Sequence, residues 1–314
     1  MICVRNLSKS YDKTLALDDY GMTVRSGSVY GLVGTNGAGK TTLLRLLAGV
    51  LKADSGNIEI AEMPVYENEA VKARLAFIPD DLSFFNKYTP KELARLYASL
   101  YARWDGAMHS HIMGEFRLDM ATPLSKFSKG MQKQAAFALA LATLPDYLLL
   151  DEPIDGLDPF ARRMVWHYII EAKGRNGMTT VVSSHNLREM EGICDSVGII
   201  DHGRMVLEKD LGVLRKDIHK VQISFGNEAP FADAPDGAPA GSATPEDAYA
   251  KLNVVHMERR GAVDLIIVRE TRESLEQWNA EYKPLLFDPI ALTMEEVFIY
   301  EMGGADHANY AIFE

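Results

Sequence analysis

The chain has 314 residues, 47% of them hydrophobic, enough for about two ordinarily packed domains. Its formal net charge of −11 argues against a nucleic-acid binder that relies on a basic face. Two cysteines far apart, Cys3 and Cys194, form no disulfide framework, and no apolar run approaches the roughly 18 residues of a membrane span. With no charged-then-apolar leader between Met1 and Lys13, a reducing cytosolic setting is expected.

In chain order, Ile2 to Leu7 and Leu15 to Val24 read as short antiparallel strands. Tyr11, in the turn between them, is an exposed aromatic candidate for stacking on a base. Val29 to Val33 is an apolar strand that runs into Gly34-Thr35-Asn36-Gly37-Ala38-Gly39-Lys40-Thr41-Thr42 and then a Leu-rich helix. Strand, glycine loop and helix are the context a phosphate-binding loop requires. Glycines at 34, 37 and 39 let successive backbone N–H groups surround polyphosphate oxygens, and the helix start adds its positive dipole end. Lys40 is then expected to bridge the outer phosphates and the Thr41 hydroxyl to ligate Mg²⁺.

Leu75 to Pro79 is another strand, ending at Asp80-Asp81. Thr89-Pro90-Lys91-Glu92 predicts a capped helix start, and Leu93, Leu96, Tyr97, Leu100, Tyr101 and Trp104 recur at helical spacing, predicting one core-facing stripe. This helical block, about 88–128, reads as an insertion into an α/β core. Tyr147 to Leu150 is a buried strand ending in Asp151-Glu152-Pro153, where an Asp can hold Mg²⁺ and the next Glu can activate water. Asp158-Pro159 opens a helix. Thr179 to Ser183 is a strand with His185 just past it, at the carboxyl ends where open parallel sheets bind ligands. Val197 to Glu208 reads as a hairpin about His202-Gly203, and Cys194 as the buried end of a helical Leu187, Met190, Glu191 row.

The Pro/Ala/Gly-rich stretch 226–250 predicts a loop inside a smaller α+β unit, 213–314. Its expected elements are strands at Val221 to Phe225 and Val263 to Arg269, a helix at Thr271 to Tyr282, and a last helix from the capping box Thr293 to Glu296 through Met302. No catalytic constellation falls in this unit, and no internal repeat is present.

With Phe127-Ser128-Lys129-Gly130-Met131-Gln132, Asp155-Gly156-Leu157-Asp158 and Ser184-His185 added to the loop and to Asp151-Glu152, residues 2 to 212 resemble the ATP-binding cassette ATPases. Five motifs stand in the family's order and spacing. The resemblance implies a P-loop NTPase cassette: a parallel core sheet, an antiparallel β subdomain and a helical insertion. It further implies ATP and Mg²⁺ as cofactors and a head-to-tail homodimer or heterodimer that sandwiches two ATP. Residues 34–42 would bind nucleotide with Tyr11 on the adenine, and Glu152 would be the general base with His185 on the γ-phosphate. Thr41, Asp151 and Asp80 would serve the metal, Ser128, Lys129 and Gly130 the partner's ATP, and Asp158 would couple the sites. Two motifs depart from the family: Asp80 stands for its usual glutamine, and Lys129 and Met131 alter the signature.

The function this implies is the energy-supplying subunit of a membrane transporter, an exporter by the kind of signature, paired with a separate membrane-spanning permease. By the same resemblance Phe84, Phe85 and Tyr88 lie where relatives receive that partner, with core packing of these aromatics the alternative reading. The cytoplasmic chain would then sit peripherally on the inner face of the membrane. The alternative is a soluble cassette ATPase on ribosomes or DNA, against which the acidic charge and single cassette count.

Overall fold

The computed structural model describes residues 1–82, 87–212, 218–226, 245–293, 295, 296 and 300. Contacts divide the chain into two compact units, Met1–Lys209 and Asp210–Glu314, where the sequence suggested a boundary at 212.

The first unit opens with the hairpin β1 (Ile2–Tyr11) and β2 (Thr14–Val24). With β4 (Ser55–Ile60) and β5 (Met63–Pro64) they make an antiparallel sheet in the order β2-β1-β4-β5. Ile2, Val4, Leu7, Leu17, Tyr20 and Met22 share one buried cluster with Leu43, Leu44 and Leu47, the two-residue period of a half-buried sheet being broken by a register shift between Val4 and Leu7. Tyr11 is not in the turn, as the sequence suggested. It ends β1 opposite Thr14, exposed, with the Lys9 ammonium 5.9 Å from its ring centre.

The second sheet contains β3 (Val29–Val33), β6 (Leu75–Ile78), β7 (Tyr147–Leu150), β8 (Thr179–Ser184), β9 (Ser196–Asp201) and β10 (Arg204–Asp210), in the order β10-β9-β3-β8-β7-β6. Pairing is parallel from β9 through β3, β8 and β7 to β6. Every residue of β3, β7 and β8 is buried, which is why β3 and β7 read as nearly unbroken apolar runs, while β8 buries Thr179, Thr180, Ser183 and Ser184 about its two valines. Helix α1 (Lys40–Leu47) follows β3, and α2 (Glu69–Lys72) is a single capped turn before β6.

The helical insertion holds α3 (Pro90–Leu100) and α4 (Gly106–Glu115) and leads into α5 (Lys129–Ala142). The capping box forms: Glu92 N donates to Thr89 Oγ1 at 3.2 Å, and Thr89 N to Glu92 Oε2 at 2.8 Å. The predicted core stripe holds only in part. Leu93 is buried, but Leu96 and Leu100 are 44% and 66% exposed, because only the first turn of α3 is covered. Tyr97 instead stacks on Tyr101 at 5.4 Å and packs on Trp104 at 6.0 Å. Of the expected exposed aromatics, Tyr88 is exposed, while Phe84 and Phe85 lie outside the described residues.

After β7, Asp158 caps α6 (Pro159–Asn176) through bonds from Phe160 N at 2.9 Å and Ala161 N at 3.0 Å. The row Leu187 to Cys194 is not one helix. A 3₁₀ turn covers Leu187–Met190, and Cys194 lies beyond it, buried, its thiol pushed up to about 12.

The second unit runs β11 (Ile218–Ser224), α7 (Pro245–Tyr249), β12 (Val254–Arg260), β13 (Val263–Arg269), α8 (Arg272–Tyr282) and β14 (Leu286–Ile290). Its sheet order β12-β13-β11-β14, antiparallel throughout, is the split βαβ or ferredoxin-like arrangement. The core is aromatic: Tyr249 stacks on Trp278, whose Nε1 donates to Ala248 O at 2.9 Å. Three features differ from the sequence expectation. β12 and β14 are additional strands, and residues 245–249 of the expected loop are helical. The Thr293–Glu296 capping box forms, with Glu296 N donating to Thr293 Oγ1 at 3.2 Å, but most of the helix expected from it lies outside the described residues.

His109 on α4 is buried beside Trp104, 5.3 Å between ring centres, and its Nε2 has no partner. Burial holds its imidazole down at about 4. The folded chain therefore binds fewer protons than the unfolded one between the ordinary histidine range and pH 4, so stability falls as pH drops through that window. Calorimetry at pH 7.5 and 5.0 is expected to show a larger loss of melting temperature for the native chain than for His109→Phe.

Candidate functional site

The glycine loop is shaped by what surrounds it. A Cβ on Gly34 would stand 2.3 Å from Ile200 O, and one on Gly39, at φ +112, would stand 2.7 Å from Ala16 O. Neither position admits a side chain. Gly39 caps α1 without a side-chain bond, so the first N–H groups of that helix face the loop with the positive end of its dipole. Lys40 is almost fully buried. Its Nζ donates to Gly34 O at 2.6 Å and Thr35 O at 3.2 Å and lies 3.2 Å from Glu152 Oε1.

The ends of β7 and β8 supply the opposite wall. Asp151, 1% exposed, accepts from Ser183 Oγ at 2.7 Å through Oδ1, while its Oδ2 is buried without a partner. Burial raises its carboxyl above the usual range, bonds from the Ser183 and Thr41 hydroxyls oppose this, and the charges of Asp80 and Glu152 add to it. Glu152 has left-handed backbone, φ +46. Its N–H donates to Ser183 Oγ at 3.0 Å, and its Oε2 lies 3.0 Å from His185 Nδ1.

Lys40, Thr41, Asp151, Glu152 and His185 thus form one cluster. Asp80 reaches it differently from the sequence expectation of a metal role: its carboxylate, over half exposed, is taken by Lys133 Nζ at 2.8 Å. Lys133, which also donates to Glu152 O at 2.7 Å, was missed by sequence reasoning, as was Ser183. No sequence signal marked Lys133, which stands between Gln132 and Gln134 ahead of the apolar run of α5.

Ser128, Lys129 and Gly130 stay outside the cluster. Ser128 caps α5, accepting from Met131 N at 3.2 Å, and Ser128 and Lys129 are exposed. A Cβ on Gly130 would come within 2.9 Å of Gly156 O, so lysine is tolerated at 129 while 130 keeps its glycine. Asp158 uses Oδ1 as the α6 cap. Tyr11 is at the hairpin tip.

The donor set fits Mg²⁺. Asp151 Oδ2 is an orphaned buried oxygen, the Thr41 hydroxyl bonds the same carboxyl group, and the described residues contain no cage of three or more His, Cys, Asp or Glu. Magnesium is usually bound through one or two protein oxygens, with water and phosphate completing its shell.

The sequence profile of the family described as ABC transporter matches residues 17–155. The bacitracin transport ATP-binding protein BcrA of Bacillus licheniformis is 32% identical over 235 residues, covering 73% of this chain and 77% of that one. This chain belongs to the ABC transporter ATP-binding proteins. The ABC transporter ATP-binding protein YtrB of Bacillus subtilis (strain 168) is 27% identical over 304 residues, 97% of this chain and 99% of that one, so the likeness extends through the second unit. A solved structure of the ATP binding subunit of an ABC transporter superposes with a TM-score of 0.63 at 29% identity, covering 68% of this chain and 92% of that one. The P-loop NTPase cassette expected from the resemblance is therefore the fold of this ABC chain.

A buried carboxylate with one oxygen unpartnered costs the folded state on the order of 1–3 kcal/mol. Asp151→Asn, which keeps the shape and removes the charge, is expected to abolish the rise in melting temperature that Mg²⁺ with ATP gives the native chain, measured by calorimetry.

Proposed function

We propose that this ABC subunit binds and hydrolyses ATP to drive a membrane transporter, an exporter, through separate membrane-spanning subunits. The observation that carries the reading is Glu152: a carboxylate at the end of β7, held by His185 on one oxygen and facing Lys40 with the other, beside the glycine loop. A relative named for bacitracin transport supports the transport role, and relatives named Nod factor export ATP-binding protein I support the direction. No helix among the described residues is long and apolar enough to cross a membrane.

In this reading the backbone N–H groups of Gly34 to Gly39, with Thr42, hold the phosphates of ATP, Lys40 neutralises the outer ones, and Tyr11 stacks on the adenine. Asp151 and Thr41 hold Mg²⁺, which supplies positive charge to the phosphates when bound. Glu152 takes a proton from the attacking water, and His185 orients that carboxylate and meets the γ-phosphate. Ser128, Lys129, Gly130 and the N-terminus of α5 serve the nucleotide of a second copy or a related ABC subunit, since on their own chain they face solvent. Asp158 couples the two sites. The dimer docks on the cytoplasmic face of the membrane.

Replacing Glu152 by Gln keeps the shape and removes the base. Steady-state ATPase assays are expected to fall by at least about 100-fold, and the variant with Mg²⁺ and ATP is expected to elute as a dimer in size-exclusion chromatography. Unchanged turnover would remove Glu152 from the mechanism.

A further inference from the structure

We infer that Lys133 is a positioning residue for Glu152, with Asp80 as its counter-ion, an assignment that rests on the reading of Glu152 as the hydrolytic base. Lys133 lies in the second turn of α5 with its side chain only 10% exposed. Lysine is almost never buried this far unless its ammonium is paired. Here Nζ divides between two acceptors from different strand ends, Asp80 Oδ1 at 2.8 Å beyond β6 and the main-chain oxygen of Glu152 at 2.7 Å beyond β7.

The second contact matters because of the conformation it meets. Glu152 is a non-glycine residue at φ +46, a region that persists only where the surroundings over-determine it. Its peptide N–H is tied to Ser183 Oγ at 3.0 Å. Its carbonyl is tied to Lys133, with Asp155 N adding a looser bond at 3.3 Å. These ties set the direction in which Cα projects the side chain, and so the position of Oε2 at 3.0 Å from His185 Nδ1. Releasing the carbonyl lets the peptide rotate toward an ordinary φ, which swings the carboxylate off His185.

Asp80 gains a role from the same geometry. A carboxylate beside a polyphosphate site is electrostatically adverse, and the cluster already holds Asp151 and Glu152. Lys133 neutralises Asp80, and Asp80 in turn supplies the charge that keeps a buried ammonium aimed at the Glu152 carbonyl. The departure at position 80 and the lysine at 133 are then one feature.

The test uses the full-length chain carrying Lys133→Met, Lys133→Arg, Asp80→Asn with Lys133→Met, and Glu152→Gln. Lys133→Met should lower kcat at least 10-fold with KM for ATP within 3-fold. Arginine, which can donate to both acceptors, should restore kcat to within 3-fold of the native value. The double variant should be no worse than Lys133→Met alone. A nucleotide-free crystal structure of Lys133→Met should show Glu152 out of the left-handed region and its carboxylate away from His185. If Lys133→Met alone does not fold, the double variant, which also removes the charge left unpaired at Asp80, must give the same kcat loss and backbone change. Native kcat in Lys133→Met, or a lost kcat with the Glu152 peptide unmoved, overturns the inference while an inactive Glu152→Gln leaves the hydrolytic reading standing. An active Glu152→Gln overturns that reading and the inference with it.

Discussion

The site depends on the parallel register of three central strands. Val33 pairs with Ser184 and Leu150 with Val182, so β3, β7 and β8 finish within a residue or two of one another. Gly34 N still donates to Ser184 O at 3.3 Å, and Asp151 N to Ile78 O at 2.9 Å, which carries the sheet's hydrogen bonding past the formal strand ends. Since all three strands are buried on both faces, a slip in register would expose apolar residues and bury polar ones. The core thus fixes the spacing of Gly34, Asp151, Glu152 and His185, which lie far apart in sequence.

Charge within this narrow space is balanced by pairs rather than by solvent. Lys40 faces Glu152 and Lys133 faces Asp80, while two buried carboxylate oxygens of the cluster, Asp151 Oδ2 and Glu152 Oε1, accept no hydrogen bond. Desolvation makes each pairing matter more than it would on the surface, because an uncompensated charge in low dielectric is costly. Asp151 also takes a bond from the Thr41 hydroxyl, so oxygen donors for a small hard cation meet at this carboxyl.

Much of this was readable from the chain itself. The glycine loop and Asp151-Glu152 each follow an apolar run whose polar terminus marks the end of a buried strand, while His185 follows the Thr179–Ser184 strand with only Val181 and Val182 apolar. Lys133 was not readable, because between Gln132 and Gln134 a lysine looks like part of a solvated helix face, and its burial comes from how α5 lies against the ends of β6 and β7. Leu96 and Leu100 failed in the opposite sense: periodicity says which side chains share a face, and nothing about whether that face is covered. In the second unit, β12 was hidden by the charged Glu258-Arg259-Arg260 and β14 by Pro289. Both are edge strands, where charge and proline are tolerated.

The walls around Gly34 and Gly39 carry a thermodynamic consequence. Ile200 O and Ala16 O press on the loop, and Gly203 N donates to Ala38 O at 2.9 Å, so a distant hairpin holds the loop from behind. Ordering six such residues upon ligand capture would forfeit on the order of 6–12 kcal/mol of backbone freedom. Folding has met that entropic cost in advance, so an anion arriving here finds its cradle already rigid and spends little of its affinity on shaping it.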